Sequence, residues 1–304
     1  MERRQSLWIA AALTAVAAGS APAAPRASVP DFSGLWTHQW DPGFEALDSG
    51  PPAPVNLARL PDGRSNVAQL VGDWHNPILK PEAAETVRKL GEESKSHFGF
   101  HNPRNQCWPM GLPFVLSSDG MQIFDRGDHL TIAYRLDHQV RHVRMNAPHP
   151  AKPVPSYYGD SVGHYEGDIL VIDTIALKPG PFAMLDWFGT PQTPALHVVE
   201  RYRLLDYDQA KDGIRRAFRD NTINPNGVPP VTDLNYRGPW LQLLFTVDDP
   251  NVFTAPWSAT VTYGPQTPPP KGLGAWPEYV CAENPYKYGT EEDVQVPKAK
   301  VADF

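Results

Sequence analysis

The clearest pattern of apolar and polar positions lies between residues 161 and 177, where a mixed run and a run that is apolar on both faces over 169–172 flank a Gly-Asp dipeptide at 167–168. Gly followed by Asp tolerates the positive φ that a two-residue turn requires, so the stretch predicts a β-hairpin. Residues that face one another across a hairpin share a face of the sheet. In this register Glu166, His164 and Asp173 lie on one face, with Asp173 diagonal to His164. The pattern therefore places an imidazole near carboxylates.

Further short runs of apolar or alternating residues predict about nine strands in all, starting with a G-x-W strand near residue 34. The best helix is Lys80 to Ser96, which has a proline in its first turn, acids early and lysines late. With 34 prolines, the chain also predicts long irregular connections over 41–79 and 101–113. Many strands and one peripheral helix predict an all-β, mainly antiparallel fold, a lipocalin-like barrel or a sandwich. The other predicted strands are 121–124, 130–136, 140–145, 196–205, 214–223, 241–247 and 257–263.

Residues 1–23 have the organisation of a signal peptide, with two early arginines, an apolar run over 7–18 and a small-residue cleavage pattern. The apolar run is shorter than the roughly 20 residues that span a bilayer, so no stable membrane insertion is expected. The arginine pair leaves both the general and the twin-arginine export routes open. The pattern predicts a periplasmic or secreted protein in which residues 24–304 form a single β domain.

A formal net charge of −7 makes nucleic acids and anionic membranes unfavourable partners. Nine tryptophans and 11% aromatic residues favour a small apolar or aromatic molecule as the partner, although tryptophan also fills the core of large β folds.

The chain has two cysteines, Cys107 and Cys281. In an exported protein an even pair predicts one disulfide, which would join the C-terminal part of the chain to the proline-rich segment near residue 107. A metal-binding or nucleophilic role is the alternative, but neither cysteine has a C-x-x-C neighbour.

Three groups are candidates for acid/base chemistry. Glu200 lies in the middle of the apolar face of the strand 196–205, where desolvation favours a role as a general acid or base, beside Tyr202 on the same face. A structural carboxylate bonded to Tyr or Arg is the alternative. His164 beside Asp173 has the arrangement of a general base. His101 is the third candidate, because loops commonly carry functional residues.

Two other kinds of site are less well supported. His138 and His142 lie on one strand face, but their spacing separates the imidazoles by about 13 Å along the strand. We therefore predict no metal site. Ser161 faces away from His164 and lacks a G-x-S-x-G context, which disfavours a serine-hydrolase triad.

Several segments together, DFSGLW, MNAPHP, GDSVGHYEGDILVIDT, LHVVERYR, TVDDPNVFTAPW and EYVCAEN, resemble a broad family of secreted bacterial proteins of unassigned function. The usual hairpin of that family reads GHSVGRWEGDTLVVDT. Here Asp160, His164 and Tyr165 replace the His, Arg and Trp of that pattern, and the C-terminal segment lacks a histidine. The resemblance implies that the site is partly rebuilt. The positions that match the family's recurring polar and aromatic residues are Asp173, Asp186, His197, Glu200, Arg201, Asp249 and Trp257.

These observations predict an exported enzyme that performs acid/base chemistry without a cofactor, of lyase, hydratase or isomerase type, on a small apolar or aromatic molecule. His164 is the expected base and Glu200 the expected acid, both projecting into the barrel with Asp173. The expected substrate-binding residues are Tyr165, Tyr202, Asp186 and Trp257. A binding protein of the same fold and a metal-dependent hydrolase are the alternatives.

Overall fold

The computed structural model describes residues 29–38, 44–66, 69–96, 99–117, 120–135, 139–220 and 233–265. Within these ranges the chain forms ten strands, two α-helices and a short 3-10 helix, Phe114–Ser117. The helices are α1 (Pro81–Ser96) and α2 (Tyr207–Asp220). The strands are β1 (Gly34–Thr37), β2 (Glu45–Ala46), β3 (Gly120–Asp125), β4 (His129–Tyr134), β5 (Val140–Met145), β6 (Asp160–Glu166), β7 (Ile169–Ile175), β8 (His197–Leu205), β9 (Trp240–Asp248) and β10 (Trp257–Pro265).

Nine strands close into a barrel, in the order β1-β3-β4-β5-β6-β7-β8-β9-β10, because β1 also pairs with β10. The short strand β2 adds to β10 from outside. The predicted all-β barrel is therefore confirmed. Neighbouring strands are antiparallel except β5 and β6, which run parallel and pair through two positions, Arg144 with Val162 and Met145 with Gly163.

The hairpin of β6 and β7 has the predicted register. Glu166 faces Ile169 and His164 faces Val171 across a two-residue turn in which Gly167 has a φ of 65°. Val162 lies opposite Asp173. The predicted sharing of faces is thus confirmed, because the side-chain period of a strand is two.

Two elements differ from the sequence prediction. The predicted strand over 214–223 was wrong, since the helix α2 begins at Tyr207 and runs through its first part. Asp206 caps this helix: its carboxylate accepts a hydrogen bond from the N–H of Gln209, whose side chain accepts one back. Gly213 of this helix lies against Thr262 of β10, and the buried Ala210 packs with Leu205 of β8 and Trp240 of β9. The second difference is β2, which is too short to show an alternating pattern.

A paired charge occupies the middle of the barrel. Arg141 on β5 points inward and binds Glu200 on β8 through two hydrogen bonds of 2.7 and 3.0 Å. Both side chains are almost fully buried. The phenol of Tyr202 donates a third hydrogen bond to Glu200 at 2.6 Å, and burial raises the pKa of Tyr202, which keeps this phenol protonated.

Arg141 also links β5 to β6, which pair through only two backbone positions, and to the strands beyond. Its Nε donates to Ser161 on β6 at 3.0 Å, and a terminal nitrogen donates to Thr174 on β7 at 2.9 Å. The guanidinium therefore reaches from β5 across β6 and β7 to β8. Although burial opposes the charged form, the carboxylate of Glu200 raises the pKa of Arg141 above its usual value. These bonds satisfy the buried charges, as low-dielectric surroundings require.

The predicted inward trio does not form. Glu200 faces the barrel interior as expected, but His164 and Asp173 lie on the opposite, outer face of the sheet. The reason is register: Glu200 pairs with Ile172, and the neighbouring position Asp173 necessarily points the other way. Glu200, with no exposed surface and three hydrogen bonds from protein donors, has the environment of a structural carboxylate rather than of a group that meets a substrate.

Replacing one member of the buried pair should destabilise the protein strongly. We expect Glu200→Gln to lower the free energy of unfolding by about 3–5 kcal/mol, because it leaves the Arg141 charge buried without its partner. The double variant Arg141→Met/Glu200→Leu should regain only part of this loss, because the buried hydroxyls of Ser161, Thr174 and Tyr202 still lack their partners. Urea denaturation followed by circular dichroism measures both.

The control is Glu85→Gln, which removes an exposed ion pair with Arg88 on α1 and should cost less than about 1 kcal/mol. A Glu200→Gln protein that unfolds at the same urea concentration as the Glu85→Gln protein would show that the buried pair does not stabilise the barrel.

Candidate functional site

On the outer face of the barrel, Asp173 contacts two imidazoles. Its Oδ1 lies 2.9 Å from Nε2 of His149, which comes from the connection between β5 and β6, and its Oδ2 lies 3.0 Å from Nε2 of His197 on β8. The predicted partner of Asp173, His164, is instead half exposed and bonded to Glu166 at 3.1 Å. The expected His164–Asp173 pair was therefore wrong, because imidazoles from two other elements already occupy both oxygens of Asp173.

Asp160, the first residue of β6, continues this arrangement. Its Oδ1 lies 2.6 Å from Nδ1 of His149, so His149 bridges two carboxylates. The guanidinium of Arg144 donates to both oxygens of Asp160 at 2.9 Å. Hydrogen bonds from Arg144 and then from His149 outweigh partial burial and hold the pKa of Asp160 below its usual value. We call the connected group Asp160, His149, Asp173 and His197 the Asp–His chain.

His149 lies between two carboxylates, with one ring nitrogen near Asp160 and the other near Asp173. It thereby fastens the β5–β6 connection to β6 and β7. His197 is bonded through one nitrogen and its side chain is 39% exposed.

A cleft of about 410 Å³ opens beside the Asp–His chain, between β5 and the residues that lead into β6. It exists because these two strands pair only at positions 144–145 of β5 and 162–163 of β6 and separate before them. The buried side chains of Arg141 and Ser161 form its floor. The residues of the wall that matter for its chemistry are Pro109, Val140, His142, Arg144, Tyr157 and Asp160.

The cleft brings an imidazole and a guanidinium together on one strand face. His142 and Arg144 are two residues apart on β5, so both point outward. Nδ1 of His142 lies 3.4 Å from the hydroxyl of Thr131, and the ring is exposed. Arg144 is 47% exposed and keeps its charge, since its hydrogen bond to Asp160 raises the pKa of the guanidinium.

Aromatic side chains complete the cleft. The ring of Tyr157 meets Trp108 edge to face with centroids 6.0 Å apart. The ring of Tyr158 stacks on Tyr134 inside the barrel at 5.7 Å. Both tyrosines are half-buried and therefore present fixed surfaces to a ligand.

The other residues that were expected to be catalytic or to bind substrate do not lie together in the structure. His101 stacks on Phe182 at 5.8 Å in its loop, away from Glu200 inside the barrel. Tyr165 lies on the inner face of β6, its hydroxyl donates to Asp125 at 2.9 Å, and burial raises its pKa. Tyr202 is inside the barrel with Glu200.

Asp186 and Trp257 have structural surroundings. Asp186 is fully buried, and its Oδ1 accepts the N–H groups of Phe188 and Thr190, which holds the local turn. Burial raises the pKa of Asp186. Trp257 is buried among aromatic rings, including Phe245 at 5.8 Å. Neither residue lines the cleft.

The described part of the chain contains no group of three or more His, Cys, Asp or Glu side chains that could hold a metal ion. His138 lies outside the described residues, and His142 lines the cleft. Cys281 also lies outside them, so its disulfide with Cys107 stays a prediction. Neither described helix is long and apolar enough to cross a membrane.

Comparison with known proteins found no matching family model, no matching curated protein and no matching solved structure.

Sequence reasoning missed His149, Arg144 and Asp160 as members of one site. Their meeting depends on how the β5–β6 connection folds back over the outer face, which no strand pattern encodes. Two signals were present: a cluster of basic residues over 141–149, and Asp160 as a departure from the resembled family's hairpin.

The ionised form of Asp160 should stabilise the folded protein. Because the folded-state pKa is lowered, this contribution is present above the usual aspartate range of about 4 and is lost as the pH falls through the lowered value. The loss of unfolding free energy caused by Asp160→Asn should therefore be largest near neutral pH and shrink on acidification. Urea titrations at several pH values measure it.

Asp208→Asn, which removes an exposed contact with Lys211 in the first turn of α2, is the matched control and should cost less than Asp160→Asn at neutral pH. An Asp160→Asn effect that stays constant from neutral pH to below pH 3 would contradict the pairing of Asp160 with Arg144 and His149.

Proposed function

We propose that the protein is an enzyme that performs acid/base chemistry on a small aromatic molecule in the cleft between β5 and β6. The observation that carries this proposal is the meeting of His142, Arg144 and Tyr157 in one cleft. An exposed imidazole can transfer protons near neutral pH, and a fixed guanidinium can stabilise the negative charge that proton removal creates. The volume is typical of small-molecule sites, which span roughly 300–1,000 Å³.

His142 replaces His164 as the expected base. In the proposed reaction it removes a proton from carbon or oxygen of the substrate and returns it to another position or to a leaving group. Such a cycle describes an isomerase, hydratase or lyase and needs no cofactor. Arg144 binds the oxygen on which negative charge develops, and Tyr157 holds the ring.

The Asp–His chain is assigned a positioning role. Asp160 holds the fork of Arg144 through two bonds, and His149 holds Asp160 from the other side. A guanidinium fixed in this way is already oriented before substrate arrives, which lowers the cost of reorganisation during the reaction.

Small-molecule binding without turnover is the second candidate. It is favoured by exposed apolar surface at the cleft, where Val140 is 47% exposed and Tyr157 contacts Trp108, which is 36% exposed. Exposed apolar side chains beside a concave site are typical of ligand-binding surfaces. Chemical recovery of a bound ligand distinguishes the two functions.

We also propose that the protein is exported and that Cys107 pairs with Cys281. The signal-peptide pattern over 1–23 and the even number of cysteines support this. The intact mass of protein isolated from the periplasm should correspond to a chain that starts near residue 24 and lacks two hydrogens. A full-length mass with two free thiols would contradict it.

His142→Gln should abolish proton transfer while leaving the fold intact. We expect it to lower the turnover of a converted aromatic substrate about 100-fold or more, the usual contribution of a general base. The substrate is found by incubating the mature protein with a panel of small phenols and aromatic acids and following each compound by liquid chromatography and mass spectrometry.

The control is His75→Gln, which changes an exposed imidazole in a distant loop and should leave the rate unchanged. Turnover by the His142→Gln protein at the rate of the control would overturn the assignment of His142. A compound that binds the cleft but is recovered unaltered would favour the binding protein.

A further inference from the structure

Arg144 has hydrogen-bond donors available in the cleft. A guanidinium carries five N–H groups, and Arg144 uses one from each terminal nitrogen on Asp160. The remaining donors have no acceptor among the described residues, and the side chain is 47% exposed. These remaining donors, the Nε–H and the outer N–H groups, lie along the planar guanidinium, whose edges match a carboxylate better than they match a neutral group.

The charged side chains that line the cleft do not exclude an anionic ligand, because the acidic group of the cleft is already paired. Asp160 is the single acid among the described lining residues, and its carboxylate is already bonded by both Arg144 and His149. The charge of Arg141 below the floor is matched by Glu200. In a chain whose formal net charge is −7, the cleft is thus a place where a negative group meets more donors than acids.

The wall next to Arg144 is suited to an aromatic ring. Tyr157 is held by Trp108 on one side, and Nζ of Lys178 lies 5.5 Å from its ring centroid. Pro109 and Val140 provide apolar surface on the rest of the wall. A flat ligand placed here would bury its ring against Tyr157 and extend its polar end toward β5.

We propose that the ligand of the cleft is a small aromatic carboxylate, whose carboxylate accepts hydrogen bonds from Arg144 while its ring packs on Tyr157. This inference rests on the proposed function, since it names the substrate class of the same site. The carboxylate anchors the molecule, and the substituents of the ring extend toward His142. Negative charge created when His142 removes a proton there is conjugated through the ring to the carboxylate oxygens on Arg144.

Isothermal titration calorimetry of the mature protein near neutral pH tests the inference with two probes of equal shape. They are 4-hydroxybenzoate, which is an anion, and 4-hydroxybenzamide, which is neutral. We expect the wild-type protein to bind the acid about tenfold more tightly or better, as charge-assisted hydrogen bonds predict. Arg144→Gln should remove this preference, because it weakens binding of the acid far more than binding of the amide.

Arg126→Gln, in the exposed turn between β3 and β4, is the matched control and should keep the preference. Arg144→Lys, which keeps the charge but loses the fork, should give an intermediate preference and replaces Arg144→Gln if that variant does not fold. Equal binding of both probes, a preference that survives Arg144→Gln, or no binding of either probe would each overturn the inference. His142-dependent turnover of an uncharged aromatic would do so too, while leaving the proposed function in place.

Discussion

The ion pair of Arg141 and Glu200 is the interaction on which the rest of the barrel depends. The β5–β6 junction is parallel and pairs through two positions, so the backbone alone holds the wall weakly there. Arg141 compensates from inside by binding Ser161, Thr174 and Glu200 on the next three strands. The wall can separate on its outer surface because the guanidinium spans the junction underneath. The cleft is a consequence of this arrangement.

The same pair decides where chemistry can occur. Polar and aromatic side chains fill the barrel at the level of Glu200, and its carboxylate is satisfied by protein donors. Glu200 has no exposed surface, so its carboxylate is not placed to meet a substrate. The outer face of the barrel wall has the opposite environment, because Arg144 and His142 are exposed there. Asp160, as part of the Asp–His chain, holds the guanidinium of Arg144 in place. We therefore assign a structural role to the charged pair on the inner face of these strands, and we propose that ligands bind on the outer face.

The sequence predicts the parts of this architecture that depend on local period. The Gly-Asp turn identifies the hairpin of β6 and β7 with its register, and alternation places Glu200 on a buried face. Alternation does not show which face of a closed sheet is the interior. His164 and Asp173 were therefore expected inside the barrel with Glu200, whereas they lie on the outer face. Alternation also gives no information about the contacts that loops make. His149 contacts Asp160 and Asp173 from the β5–β6 loop, which has no regular period.

A crystal structure of the protein soaked with 4-hydroxybenzoate tests most directly whether ligands bind at the wall rather than inside the barrel. The account predicts ligand density between β5 and the start of β6, with the carboxylate on Arg144, the ring on Tyr157 and the Arg141–Glu200 pair intact. Density inside the barrel beside Glu200, with Arg141 displaced, would contradict it.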